Sequence, residues 1–203
     1  MDNEMIDIYD TEMNLLGVAN KAQAHEEGLW HKVFHCWIIS EDGNIWLPLR
    51  RGDKLLNPKL FDVSCSKHIM VGETPKQCGI NEIEDTYSIK LKEHNLIKMF
   101  TQTMVFDTPD KNCEFCPTYL YKTQYKFSDL VIDNNDFDGV FLADIQDLID
   151  LFFNDVKSIS ISGIKLDKKT ELRKNVTKND FCPYGDKYYQ KVFTTIQRFI
   201  DNQ

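Results

Sequence analysis

A mixed α/β (α+β) fold, with helices flanking a sheet in one domain, is what this sequence predicts, on three observations. Apolar stretches alternating in strand fashion recur through the first two thirds of the chain, and later stretches carry apolar residues at helical spacing. No repeat, low-complexity tract or Pro/Gly-rich linker divides the sequence. At 203 residues with 42% hydrophobic content, the chain fills one core and is short for two ordinary domains. A single domain over 1–203 is expected, with an N-terminal hairpin over 5–20, a core over 30–155 and a C-terminal helical extension over 165–203.

The elements follow in order. MIDIYDTEMNLLGVA reads as two strands about a polar turn from Asp10 to Asn14. HKVFHCWII and NIWLPLR flank the turn-forming run Ser40-Glu41-Asp42-Gly43, so they should pair as neighbouring strands. After FDVSCSKHIMVGE, Thr74 can cap and Pro75 can open a helix that runs to about Tyr87. MFTQTMVFD and TYLYKTQYKF alternate as strands about the turn-rich Thr108 to Asn112. Ile145, Leu148, Ile149, Leu151 and Phe152 lie at helical spacing, and DKYYQKVFTTIQRFI is a second amphipathic helix near the C-terminus.

Composition narrows the function classes. The formal net charge is −8, from 32 acidic against 24 basic residues, and no basic stripe tracks a phosphate backbone, which argues against a nucleic-acid polymer as partner. The acidic start MDNEMIDIYD is unlike a secretory signal, and no apolar run reaches the roughly 20 residues of a membrane span. A cytoplasmic protein with no membrane contact is therefore expected, its six cysteines reduced. Cys113 and Cys116 form a lone C-x-x-C, short of the ligands a structural zinc site needs.

The chemistry concentrates around residues 67–89. Residues 82, 85 and 86 lie at i, i+3 and i+4, so a helix puts them on one face, where the carboxylates of Glu82 and Asp85 can hold a hard divalent cation. From Lys67 the chain runs KHIMVGETPKQCGINEIEDTYSI, which resembles the Nudix box, G-x5-E-x7-R-E-apolar-x-E-E-x-G-apolar. In that register Lys67 replaces the opening glycine, Asn81 the arginine, Asp85 and Thr86 two glutamates, and Ser88 the closing glycine.

The resemblance extends outside the box. LGVANKAQAHEEGLWHKVFHCWII, LPLRR, FDVSCSKHI and the E-x-C-P stretch at Glu114 are similar to the Nudix branch of the type I isopentenyl-diphosphate isomerases, over most of residues 5–125. The resemblance implies an α/β/α sandwich with a mixed central sheet. It further implies Mg2+ (or Mn2+) on Glu73, Glu82 and Asp85, hydrolysis of a small-molecule diphosphate linked to another moiety, and Glu82 and Glu114 as catalytic residues, Glu114 as an acid positioning water. Arg50, Arg51 and Lys67 would meet the phosphates. The departures imply slow hydrolysis or, alternatively, binding of a phosphorylated metabolite without cleavage. From the isomerases, His25, His31 and His68 are implied as an alternative metal site. The isomerase cysteine falls at Ser66 and its second acidic ligand at Asn112, and strand parity turns Cys65 away, so isomerisation is not expected. His35 is expected as a hydrogen-bonded interior residue, and His94 as a surface side chain.

Overall fold

The computed structural model describes residues 4–106, 112–129, 136–165 and 170–202. Strands β1 (Met5–Tyr9) and β2 (Leu15–Asn20) form the expected hairpin. Its turn is closed by Asp10, whose carboxylate accepts from the backbone of Glu12 and Asn14 at 2.9 Å each. A short helix that periodicity did not announce, α1 (Lys21–Glu27), follows at once, capped by Asn20 and stopped by Gly28 in the left-handed region. Then come β3 (Trp30–Ile39), β4 (Ile45–Arg50), β5 (Cys65–His68) and α2 (Pro75–Tyr87). The remainder is β6 (Ile97–Phe106), β7 (Asn112–Lys122), β8 (Phe137–Ala143), α3 (Ile145–Phe153), β9 (Ile159–Lys165), β10 (Thr170–Val176) and α4 (Asp186–Asp201).

β3 is the axis of the sheet. Along one edge it pairs in parallel with β7; its other edge is shared by β1 at His31, β5 from Val33 to Cys36, and β4 at Ile39, all antiparallel. The sheet is therefore mixed, as expected, and extends on the β4 side through β8, β9 and β10 and on the β1 side to β2.

Strand alternation on β3 sorts the core into two layers. Phe34, Cys36 and Ile38 pack with Cys78, Ile83 and Tyr87 of α2. Val33, Trp37 and Ile39 pack on the opposite face with Leu148 and Phe152 of α3 and Tyr189, Val192 and Phe193 of α4. Helix, sheet and helix thus stack as the α/β/α sandwich. Helix α2 begins with a reciprocal Thr74–Gln77 capping box and Pro75 in its first turn. It ends on Ser88, a non-glycine residue held at φ 56°. Gly79 lets α2 approach the sheet closely, since a Cβ there would lie 2.2 Å from the Phe34 ring.

Two expectations need comment. The segment 165–203 is not helical throughout: β10 pairs residue by residue with β9 before α4 begins. The polar run TELRKNV buries only Val176 fully, so no apolar alternation announced a strand. The turn expected from Thr108 to Asn112 lies, up to Lys111, outside the described residues. Among the described residues no helix is long and apolar enough to cross a membrane.

Candidate metal and catalytic site

His25 on α1, His31 on β3 and His68 on β5 converge, their ligand atoms all within 4.8 Å of one another. His25 Nε2 and His68 Nε2 are 2.9 Å apart, and the ring centroids are separated by 5.0, 5.0 and 5.1 Å. The backbone carbonyl of Leu29 lies 2.8 Å from His31 Nδ1, which must donate to it, leaving the lone pair on Nε2. That Nε2 is buried and has no hydrogen-bond partner. Burial lowers the His31 pKa to about 4, partly opposed by the Leu29 bond. Burial, reinforced by the neighbouring His31, likewise holds His68 well below its ordinary value. One of the His25 and His68 Nε2 atoms must carry the hydrogen of their contact and would give it up on meeting an ion; three converging imidazoles, one fixed through its other nitrogen by a carbonyl, are a donor set a divalent ion takes.

Glu114 on β7 stands directly across from His31 in the parallel register and is buried. Burial raises its pKa, partly opposed by hydrogen bonds from the Cys116 thiol, at 3.4 Å, and the Asn112 amide. The Asn112 Oδ1 is itself buried without a partner. Glu114 also gathers with His35 and Cys116, ligand atoms again within 4.8 Å. His35 is fully interior and hydrogen-bonded: its Nδ1 lies 2.8 Å from the Tyr188 hydroxyl, to which Trp37 Nε1 also donates at 3.2 Å. His94 is exposed.

The acids of α2 are arranged differently. Lys67 Nζ lies 3.0 Å from Glu82 and 3.8 Å from Asp85, and Thr86 donates to the other Glu82 oxygen at 3.2 Å. Burial pulls the Lys67 pKa down, but Glu82 and Asp85 outweigh it and the net shift is upward. Glu73 turns back on its own loop and accepts from Met70 N at 3.1 Å. Among the described residues, Glu73, Glu82 and Asp85 do not form a group close enough to share one ion.

Two of the three expected phosphate contacts, Arg50 and Lys67, have partially buried carboxylate partners. Arg50 pairs with buried Asp62 at 2.7 Å and also donates to the Leu56 carbonyl. Arg51 is half-exposed and pairs with exposed Asp53 through Nε at 3.0 Å and Nη2 at 2.8 Å. Ser66 pairs across from His35 and shares its face, whereas Cys65 pairs with Cys36 and packs toward α2. Cys113 and Cys116, three apart on one strand, project to opposite faces, and all six cysteines are free thiols. Nothing in the sequence marks Asp62, Tyr184 or Tyr188 as site residues. Asp62 accepts from Arg50, from Val63 N at 2.8 Å and from the Tyr184 hydroxyl at 2.7 Å. Tyr184 and Tyr188 arrive from the C-terminal segment, so no local spacing marks this cluster.

No family model matches the chain. An uncharacterized Nudix hydrolase of Clostridium acetobutylicum is 28% identical over 97% of this chain and 98% of its own length. An isopentenyl-diphosphate Delta-isomerase of Photorhabdus laumondii is 32% identical over a shorter stretch, 35% of this chain and 40% of that one. A MutT/nudix family protein from Enterococcus faecalis superimposes with a TM-score of 0.51 at 11% identity, over 84% of this chain and 62% of that one. Along nearly its whole length the sequence is similar to that of a Nudix hydrolase, and its fold is similar to that of a MutT/nudix protein.

Proposed function

We propose that this chain is a Nudix-type hydrolase that cleaves a small-molecule diphosphate linked to another moiety, with a divalent ion held by His25, His31 and His68. One observation carries the reading: the buried, unpartnered Nε2 of His31, gathered with the imidazoles of His25 and His68. An orphaned acceptor at such a place costs free energy unless a ligand meets it. Imidazole donors favour Mn2+ or Zn2+ over Mg2+. When bound, such an ion supplies Lewis-acid polarisation of a phosphoryl oxygen and acidifies bound water.

The chain's own groups do the rest. His31 is held in one tautomer by Leu29, so its donor atom is set before an ion arrives. Glu114 stands beside His31 with its proton affinity raised by burial, the direction in which a carboxyl is tuned for acid or base work. Asn112 and Cys116 each donate to one of its oxygens and hold its orientation. Arg51, half-exposed, could exchange its exposed partner Asp53 for a substrate phosphate, whereas Arg50 is held by buried Asp62. Ser66 offers only a weakly acidic hydroxyl on this face, so the isomerase reaction is not proposed.

The test is a panel of nucleoside, sugar and prenyl diphosphates, each assayed for phosphate release with Mn2+, Zn2+ or Mg2+, on the full chain and on His31→Ala and Glu114→Gln. Metal-dependent release lost in both variants is expected. Turnover that survives chelation, or is unchanged in His31→Ala, sinks the reading. Ion binding without turnover on any substrate would favour the alternative, a binder of phosphorylated metabolites.

A further inference from the structure

The alternation of β5 sends Lys67 and His68 to opposite faces of the sheet, His68 toward the histidine cluster and Lys67 toward α2. There the Lys67 ammonium sits between the carboxylates that helical spacing brings together, 3.0 Å from Glu82 and 3.8 Å from Asp85. Its side chain is only 33% exposed and that of Glu82 18%, so the pair is not a freely solvated surface contact. Thr86 donates to the second Glu82 oxygen at 3.2 Å, so both oxygens of Glu82 already have partners. Glu73, which could have added a third carboxylate, is turned back on the Met70 amide. A divalent ion demands several oxygen ligands and tolerates no ammonium among them. These residues therefore do not fit a divalent ion as they stand.

We infer that the Lys67 ammonium is the resident cation of the α2 carboxylates, a tethered counter-ion standing where a divalent ion would otherwise bind. Given the metal site proposed above on the histidines, the chain takes its divalent ion there and not on α2. Lys67 is thus a positioning residue: it holds Glu82 and Asp85 on one cation and offsets one of their two charges without an exchangeable ligand.

Mn2+ binding, followed by loss of the free-ion paramagnetic resonance signal, decides between the alternatives on the full chain. The wild type should bind no ion that Glu82→Gln removes. Lys67→Ala and Lys67→Met should each acquire an additional Mn2+ that the wild type does not bind. Adding Glu82→Gln to either variant should abolish that extra ion. Circular dichroism and thermal melting establish that each variant is folded, and two replacements of different size guard against one failing. A wild-type ion released by Glu82→Gln, or no extra ion in folded Lys67→Ala and Lys67→Met at millimolar Mn2+, overturns the inference. The histidine reading is separately exposed: if His31→Ala leaves wild-type ion binding unchanged, that reading falls while the Lys67 result stands.

Discussion

Replacing Gly79 by alanine probes how α2 is seated on the sheet. The new Cβ would lie 2.2 Å from Phe34 Cζ, 2.5 Å from Cε2 and 2.8 Å from Cε1. Carbon atoms in contact prefer about 3.5 Å, so the shortfall is about 1.3 Å. Phe34 has no exposed surface and stacks on Tyr119 with ring centroids 5.4 Å apart, so the ring has no free side to move toward. The helix must shift instead. Overpacking of this kind costs about 1–3 kcal/mol, and the upper end applies because the blocking atoms belong to a rigid buried ring. Alanine recovers about 1 kcal/mol in helix propensity, for a net loss of about 2 kcal/mol. Urea unfolding of Gly79→Ala, Phe34→Leu and the double variant measures both the loss and the coupling. Shortening the ring should make the alanine tolerable, with a favourable interaction of at least about 1 kcal/mol in the double-mutant cycle. A Gly79→Ala protein as stable as the wild type, or strictly additive effects, would refute the packing argument.

Acid should destabilise the metal-free protein through His31 and His35, both held near pKa 4 by burial. A base depressed in the folded state leaves stability intact above about pH 6.5 and erodes it as pH falls toward about 4, by about 3 kcal/mol per residue. His35→Gln should flatten the slope of unfolding free energy across that window, and an unchanged slope counts against the burial argument. Ser88→Gly should stabilise by about 0.5–1 kcal/mol, since Ser88 occupies the left-handed region at φ 56°; a lower melting temperature contradicts this. Arg50→Met should cost about 3 kcal/mol, because it strands the buried Asp62 carboxylate. If Arg50 instead grips substrate phosphates, the variant shows a raised KM with its stability intact.

Helix α2 was legible because capping, Pro75 and apolar spacing agree over one local stretch. The hairpin and the β3–β4 pair were legible for the same reason, being strands joined by short turns. α1 was not: KAQAHEE buries Ala24 alone, and the helix stands on its caps and on packing beside β1 and β2. β10 escaped because it is an edge strand with mostly polar, exposed residues. At the site, helical spacing brought Glu82 and Asp85 to one face, but spacing alone could not show that a lysine from β5 would be their partner. Nor could it show that Glu73 would satisfy its own turn. The polar cluster of Asp62, His35, Tyr184 and Tyr188 joins residues more than a hundred positions apart, which only tertiary register brings together.

Lys67 and His68 are neighbours in sequence, yet β5 delivers them to different sides of a backbone wall. Such a partition lets one side of a strand be rewritten while the other keeps its constellation. Loss of acidic positions along α2 therefore carries no necessary message about the imidazoles behind the sheet. A lineage of this fold can convert its helix face into a structural brace and still inherit intact chemistry next door. Intactness of a linear motif is for that reason a poor measure of whether a chain of this architecture still works.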